Sequence, residues 1–504
     1  MQICCSRSMI AGVRIMSTKG TTVFGNRLSR TALWGTNISY KLCRLQFGID
    51  KKTLELAAVK RGEVYKDFGV MTLVDKNSET AEEKFPINEE HGIVLGTMRM
   101  GFGHWRMTIA MASAAHDLGY TGYLLDLKSF DGTVAKKSIN FLERWYNLGS
   151  RLSQLWKWFD THVWERLTSQ GGTQLSSAVR ERNLSRLFVP VFKALPKNIP
   201  FISAHPWVGH GAVLAGLERV TSIVPDNFPM AFWLVEGSKH CVQSPSAYMG
   251  YRTLIGMENR GNTISYCVPK ADLICSGHYV DHELVSNVEN DCARRLERYA
   301  EKEPRRFLLT MGGAGAQVER FADIAHVCKH AIQNAAAALF INMGDHRQRC
   351  TLLQQYLSKD GIAFTVHDEW EESKRFVNDI KTGHAEGVHL FIHDDFYAAV
   401  YATNLLMRVC DVMVTKPSEL SYYPIPKLFI QRVGKHEAWG AIRSSEIGDG
   451  TMEAGAIPAL HRTLKALIED DDLIKLYCAK IVANMREGVY NGAYVAVKTA
   501  TRLH

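Results

Sequence analysis

The stretch that most constrains this chain runs from Gly92 to Asp126. A short apolar run (Ile93, Val94, Leu95) ends in a loop holding Gly96, Gly101 and Gly103, with Arg99 between them. His104 then opens a segment whose apolar residues fall at Met107, Ala110, Met111, Ala114 and Leu118, helical spacing closed by Gly119. A second apolar run, Tyr123 to Leu127, follows at once. Strand, glycine loop, helix, strand is the opening unit of a doubly wound parallel sheet. Glycines there let backbone N–H groups approach an anion or a sugar, and the helix N-terminus favours negative charge. The plan recurs roughly 215 residues later, since helical units of this kind repeat within α/β chains. Phe307 to Thr310 predicts a strand, and Met311 to Gln317 a loop with Gly312, Gly313 and Gly315. Phe321 to Ala338 predicts a helix and Leu339 to Asn342 the next strand. Two such halves predict a two-domain α/β protein with a cleft between them.

The 504 residues suffice for two or three domains, and 46% apolar with 22% charged content is that of an ordinary globular enzyme. The net charge of +8 is unevenly spread. Residues 1–49 hold seven basic residues and no acidic one, so the remainder carries +1 and has no nucleic-acid footprint. An acid-free, Arg- and Ser-rich beginning reads as a mitochondrial or plastid transit peptide, or as disordered chain. Residues 50–90 read as a linker or edge extension, 91–300 and 301–460 as the two domains, and 461–504 as a helical tail. Eleven scattered cysteines without CxxC spacing point to reduced thiols, with no zinc site or other metal centre. No uncharged apolar run is long enough to span a membrane.

Polar residues just past strand ends are the candidate site, because open α/β sheets place ligands there. His205 follows the run Ile199 to Ala204, and Asp226 follows Thr221 to Val224; either can serve as a base, and turn chemistry explains the Asp-Asn pair equally well. Val412 to Val414 leads into Lys416, Ser418 and Glu419, where Ser418 is placed to cap a helix and offer N–H groups to a phosphate. His436 and Glu437 follow a further strand. Over 141–167, Trp145, Leu148, Leu152, Leu155, Phe159 and Val163 form a helical stripe beside Arg151, Lys157 and Arg166. Such a helix lies in a lipid interface or packs on a core with a solvated basic side.

From residue 92 to about 500, these blocks resemble the GT-B glycosyltransferases, most of all the monogalactosyldiacylglycerol synthase and peptidoglycan N-acetylglucosaminyltransferase group. Gly101-Phe102-Gly103-His104 is similar to the family's first loop, Pro225-Asp226-Asn227 to its Asp-containing strand end, and Ser276-Gly277-His278-Tyr279 to its interdomain turn. Gly312-Gly313-Ala314-Gly315 resembles the loop opening its second domain, Lys416-Pro417-Ser418-Glu419 its Lys-Pro-Gly-Gly segment, and His436-Glu437 its sugar-holding pair. The resemblance implies two Rossmann-like domains facing an interdomain cleft, a nucleotide-diphosphate sugar as donor substrate in the second domain, and an acceptor in the first. The acceptor is a lipid in many members, with 141–167 as its approach. Transfer is inverting and needs no metal or cofactor; Arg99, Gly101 and Gly103 fall on the acceptor loop, and His104, His205 or Asp226 is the base. An epimerase or hydrolase of the same fold, or a non-catalytic nucleotide-sugar binder, are the alternatives. Two positions depart from the family: its ribose-gripping glutamate falls at Pro424, and Glu419 puts a carboxylate where the family has a small residue near the phosphates.

Overall fold

The computed structural model describes residues 21–79, 82–99, 101–155, 171–258, 263–312, 315, 317–432 and 437–502, with the backbone alone for 146–155 and 171. Two parallel sheets organise it. In the first body the strands are β1 (Leu56–Val59), β2 (Met71–Asp75), β3 (Gly92–Thr97), β4 (Thr121–Asp126), β5 (Phe201–Ser203), β6 (Val220–Ile223), β7 (Lys239–Val242) and β8 (Leu273–Cys275). Their order is β8-β7-β6-β5-β3-β4-β2-β1, parallel except for β1, which runs antiparallel to β2 at the edge. The second body holds β9 (Arg305–Thr310), β10 (Ala337–Asn342), β11 (Thr365–His367), β12 (Gly387–Phe391), β13 (Val412–Thr415), β14 (Lys427–Phe429) and β15 (Gly450–Glu453), in the order β11-β12-β10-β9-β13-β14-β15. Every pairing in it is parallel. This is an α/β protein of two Rossmann-like bodies facing a cleft. All six residues of β3, β9 and β10 are buried, and their apolar stretches, Ile93 to Leu95, Phe307 to Leu309 and Ala337 to Ile341, read as unbroken runs.

Each sheet reverses its winding beside a central strand, β3 between β4 and β5, and β9 between β10 and β13. The loops after those strands diverge at their carboxyl ends and open a crevice. The helix Phe102–Asp117, which follows β3, is buried on nearly every side. Its Trp105, Ile109 and Met111 share one apolar cluster with Trp370, Tyr397 and Tyr401 of the second body. The terminal helix Gly492–Thr501 crosses back and packs on that same helix.

One alternative is corrected. Residues 21–49 are folded, not disordered chain; residues 1–20 lie outside the described part. Thr22–Val23 and Asn26–Arg27 form a hairpin, and the buried Asn26 locks it to the body. Its Nδ2 donates to the Tyr266 carbonyl (2.8 Å), and its Oδ1 accepts from the backbone N–H of Ser265 (2.8 Å) and Tyr266 (3.0 Å). Leu33, Tyr40, Cys43 and Phe47 then turn toward the core, so the helical phase fixes these residues although the composition resembles a leader. Within residues 50–90, expected as a linker or edge extension, β1 and β2 lie at the sheet edge. Among the described residues no helix is long and apolar enough to cross a membrane.

Candidate functional site

A cleft of about 250 Å³ lies between the bodies. The first body contributes Gly101, Gly103, His104, Met107, Pro225, Asp226, Asn227 and Trp233, and the second Ser418, Glu419, Tyr422, Glu437 and Gly440. Four strand ends supply them: the loop after β3, the loop after β6, the segment after β13 and the segment after β14. Gly101 sits just before the buried helix with φ of 138°, a backbone that only glycine adopts without strain, and this turn aims the helix N-terminus at the cleft.

His104 stands at the centre. Its ring is partly exposed to the cleft and packed elsewhere, against Trp233 (centroids 5.7 Å) and against the ring of His205 (5.1 Å, edge-on). Burial lowers its pKa, only partly offset by the Ala204 carbonyl and the nearby Glu419 charge, so the ring is neutral at pH 7. Its Nδ1 is buried without a hydrogen-bond partner. A neutral imidazole whose ring reaches a cleft wall can accept a proton there. Asp226 lies beside it, its Oδ2 accepting from Trp233 Nε1 at 2.9 Å, so one indole orients the carboxylate and packs on the imidazole.

Glu419 faces them from the second body. A Cβ on Gly103 would stand 3.2 Å from Glu419 Oε2, so the glycine is what lets the carboxylate approach the helix. Glu419 Oε1 lies 3.9 Å from Nε of Arg106, a guanidinium only 3% exposed. Arg106 also donates to Asn404 Oδ1 (2.5 Å) and Thr403 Oγ1 (3.4 Å), both of the second body. Its Nε has no hydrogen-bond partner. Ser418 caps the turn carrying Glu419: its Oγ accepts from the Leu420 N–H (3.3 Å), and its own N–H donates to Ser421 Oγ (3.1 Å). A further bond across the bodies runs from the Asn227 N–H to the Tyr422 hydroxyl (3.2 Å).

The remaining sequence candidates divide. Lys416 pairs with Glu437 and lies against Gly312, where an added Cβ would be 3.4 Å from Lys416 Cε. Gly315 turns the same loop at φ of 62°, its N–H donating to the Gly312 carbonyl at 2.9 Å. Gly313 and His436 lie outside the described residues. Arg99 points away from the cleft, donating from Nε to Asp126 Oδ2 at 2.5 Å with its guanidinium over the Phe396 ring. His205 lies behind His104 rather than on the cleft wall. It is the N-cap of the helix Pro206–Leu214, its Nδ1 accepting from the Trp207 N–H at 3.2 Å, and burial holds its pKa well below the ordinary value. Arg106, Trp233 and Tyr422 were missed. The one local signal was an arginine inside the apolar stripe that starts at His104. Among the described residues no three His, Cys, Asp or Glu side chains gather as a metal-ligand set.

Residues 22–253 match a family model described as a domain of unknown function, DUF6937, and residues 268–501 match another, DUF6938. No curated protein matches the chain. Among solved structures, it is similar to a UDP-GlcNAc 2-epimerase from Neisseria meningitidis bound to UDP-GlcNAc, at 9% identity and a TM-score of 0.41, over 82% of this chain and 98% of that one. It is also similar to a glycosyltransferase from Rickettsia africae, at 11% identity and a TM-score of 0.39, over 83% and 100%. A third is an O-GlcNAc transferase from Thermobaculum terrenum, at 10% identity and a TM-score of 0.34, over 83% and 68%.

Proposed function

We propose that this chain is a glycosyltransferase-like enzyme that transfers a sugar from a nucleoside-diphosphate sugar to an acceptor hydroxyl in the cleft, with inversion and without a metal. The observation that carries the reading is the meeting of neutral His104 and oriented Asp226 on one wall with Glu419 and Ser418 on the other. The acceptor oxygen bonds to the anomeric carbon as its proton passes to His104, with Asp226 as the alternative base. The bond from that carbon to the diphosphate breaks, and the nucleoside diphosphate departs with the electron pair. The Gly312 loop and Lys416 border the space for the diphosphate, where backbone N–H groups and an ammonium offset its charge. Glu419 lies beside Gly103 and near His104, and in this reading it faces the reacting centre. A carboxylate there favours the positive charge that develops on the sugar as its bond to the leaving group stretches.

The test is a thermal-shift screen of the full chain against nucleotides and nucleotide sugars, then turnover of any binder by the parent, His104→Ala and Glu419→Gln. Ligand at a hundred times its Kd stabilises by about 2.7 kcal/mol. Each variant is expected to keep the shift and lose turnover by about 100-fold or more. No shift with any nucleotide sugar removes the reading. Donor consumed equally fast without acceptor replaces transfer by hydrolysis or epimerisation, and tight binding without turnover in the parent leaves a binding protein.

A further inference from the structure

The segment 30–49 carries two opposite faces. The helix Arg30–Trp34, the turn Gly35–Asn37 and the helix Ile38–Phe47 succeed one another without a break. Leu33, Tyr40, Cys43 and Phe47 turn inward and pack on the first body. Trp34, Ile38, Leu42, Leu45 and Ile49 are exposed, Trp34 at 81% and Leu45 at 84%. At about 100° per residue Ile38, Leu42 and Leu45 of the helix Ile38–Phe47 fall within an arc of roughly 60°. One face of the helix is therefore core, and the opposite face is an apolar stripe in solvent. On the inward face Phe47 meets Phe141 of the helix Val134–Leu155 edge-on (5.9 Å), which holds the segment to the body. An exposed apolar stripe that carries an indole marks an interaction site.

Charge selects the partner. Arg30, Lys41 and Arg44 flank the stripe, Lys51 and Lys52 follow it, and residues 21–49 contain no acid. The nearest carboxylates are turned away: Asp50 accepts from the Val134 N–H through both oxygens (3.2 and 3.0 Å), and Glu143 pairs with Lys128 at 2.6 Å. Asp131, at the far end of the second helix, pairs with Lys136. A second copy of this chain would bring the same cationic rim against itself. A bilayer carrying anionic phospholipid complements both parts, since indoles and leucines enter the headgroup boundary while lysine and arginine meet phosphates. We propose that the face formed by Trp34, Ile38, Leu42 and Leu45 docks on an anionic lipid surface. This holds whether or not the cleft transfers a sugar.

The test is co-sedimentation of the full chain with vesicles of pure phosphatidylcholine and with vesicles containing about one third phosphatidylserine. The double variants Trp34→Ser/Leu45→Ser and Lys41→Glu/Arg44→Glu are measured alongside, with melting temperatures and light scattering. The parent is expected to bind the anionic vesicles at least ~10-fold better than the neutral ones, and less well as salt rises. Each double variant is expected to lose ~10-fold or more of that binding while melting within ~2 °C of the parent, because the altered side chains are exposed. Overturning results are no binding to anionic vesicles, equal binding by the variants, or a dimer in the parent that the variants abolish without any vesicle binding.

Discussion

Arg106→Leu tests whether one buried guanidinium holds both the bodies and the cleft. Arg106 leaves the helix of the first body and ends on Asn404 and Thr403 of the second, with Glu419 beside its Nε. Leucine fills much of the volume but supplies none of the donors. The charge-assisted bond to Asn404 contributes on the order of 2 kcal/mol and the longer one to Thr403 well under 1. Glu419 also loses its nearest cation and is left facing the helix alone, which adds to the cost. A net loss of about 3 kcal/mol follows. Unfolding entropy near 2.1 cal/mol/K per residue gives roughly 1 kcal/mol/K for a chain of this length, so the melting temperature should fall by about 3 °C. Arg106→Lys keeps the charge and one donor and should recover part of that. The assay is differential scanning calorimetry of the parent and both variants, repeated with any ligand found for the cleft. A leucine variant that melts within about 1 °C of the parent and binds ligand equally well would refute the reasoning, because the network would then be a geometric coincidence.

The glycines of the first loop should separate stability from function. Gly101→Ala forces alanine to φ of 138° and should cost about 1–3 kcal/mol, read as a lower melting temperature. Gly103→Ala lies in helical backbone and should hold or gain stability, yet its Cβ presses on Glu419 from 3.2 Å and should weaken turnover of any substrate; unaltered turnover would show that Glu419 has room to move. Acid should destabilise the fold between pH 6.5 and about 4. Burial pushes His210 down to about 3, and His240, His389 and His393 to about 4. With folded pKa values below the unfolded 6.5, the unfolded chain binds more protons as pH falls, so stability present above 6.5 is lost at up to about 1.4 kcal/mol per pH unit for each. Asp281, raised to about 8 by burial and by Glu283, opposes with one proton. His240 Nε2 accepts from the Val235 N–H at 2.9 Å, so His240→Gln keeps an acceptor and should lower the acid slope by about one proton; a flat melting profile over this range in the parent would contradict the assignment.

What the sequence made legible follows from how each feature is encoded. The strand, glycine loop and helix at 92–117 were readable because parallel central strands are buried on both faces and show as unbroken apolar runs, while the buried helix keeps its own period. The clustering of His104, Asp226, Ser418, Glu419 and Glu437 was readable because strand order forces those loops to one edge. What escaped depends on partners far along the chain. Arg305 and Arg306 form an adjacent basic pair in the sequence, yet both are buried at the start of β9, with Arg306 donating to the carbonyls of Ile380 and Gly383 at 2.7 Å each. His205 follows a strand as a ligand residue would, and what turned it inward was the cap demanded by Pro206 and the helix behind it. Arg106 lay in an apolar stripe, but its acceptors are nearly 300 positions away in Thr403 and Asn404, beyond any local period. Glu419 is the same lesson with a sign change. Aligned by motif it was a carboxylate beside a diphosphate, an obstacle; placed by the fold it neighbours Gly103, Arg106 and His104. A charge that repels a leaving group favours a positive reacting carbon, so its distance to each decides its meaning, and sequence order does not carry that distance.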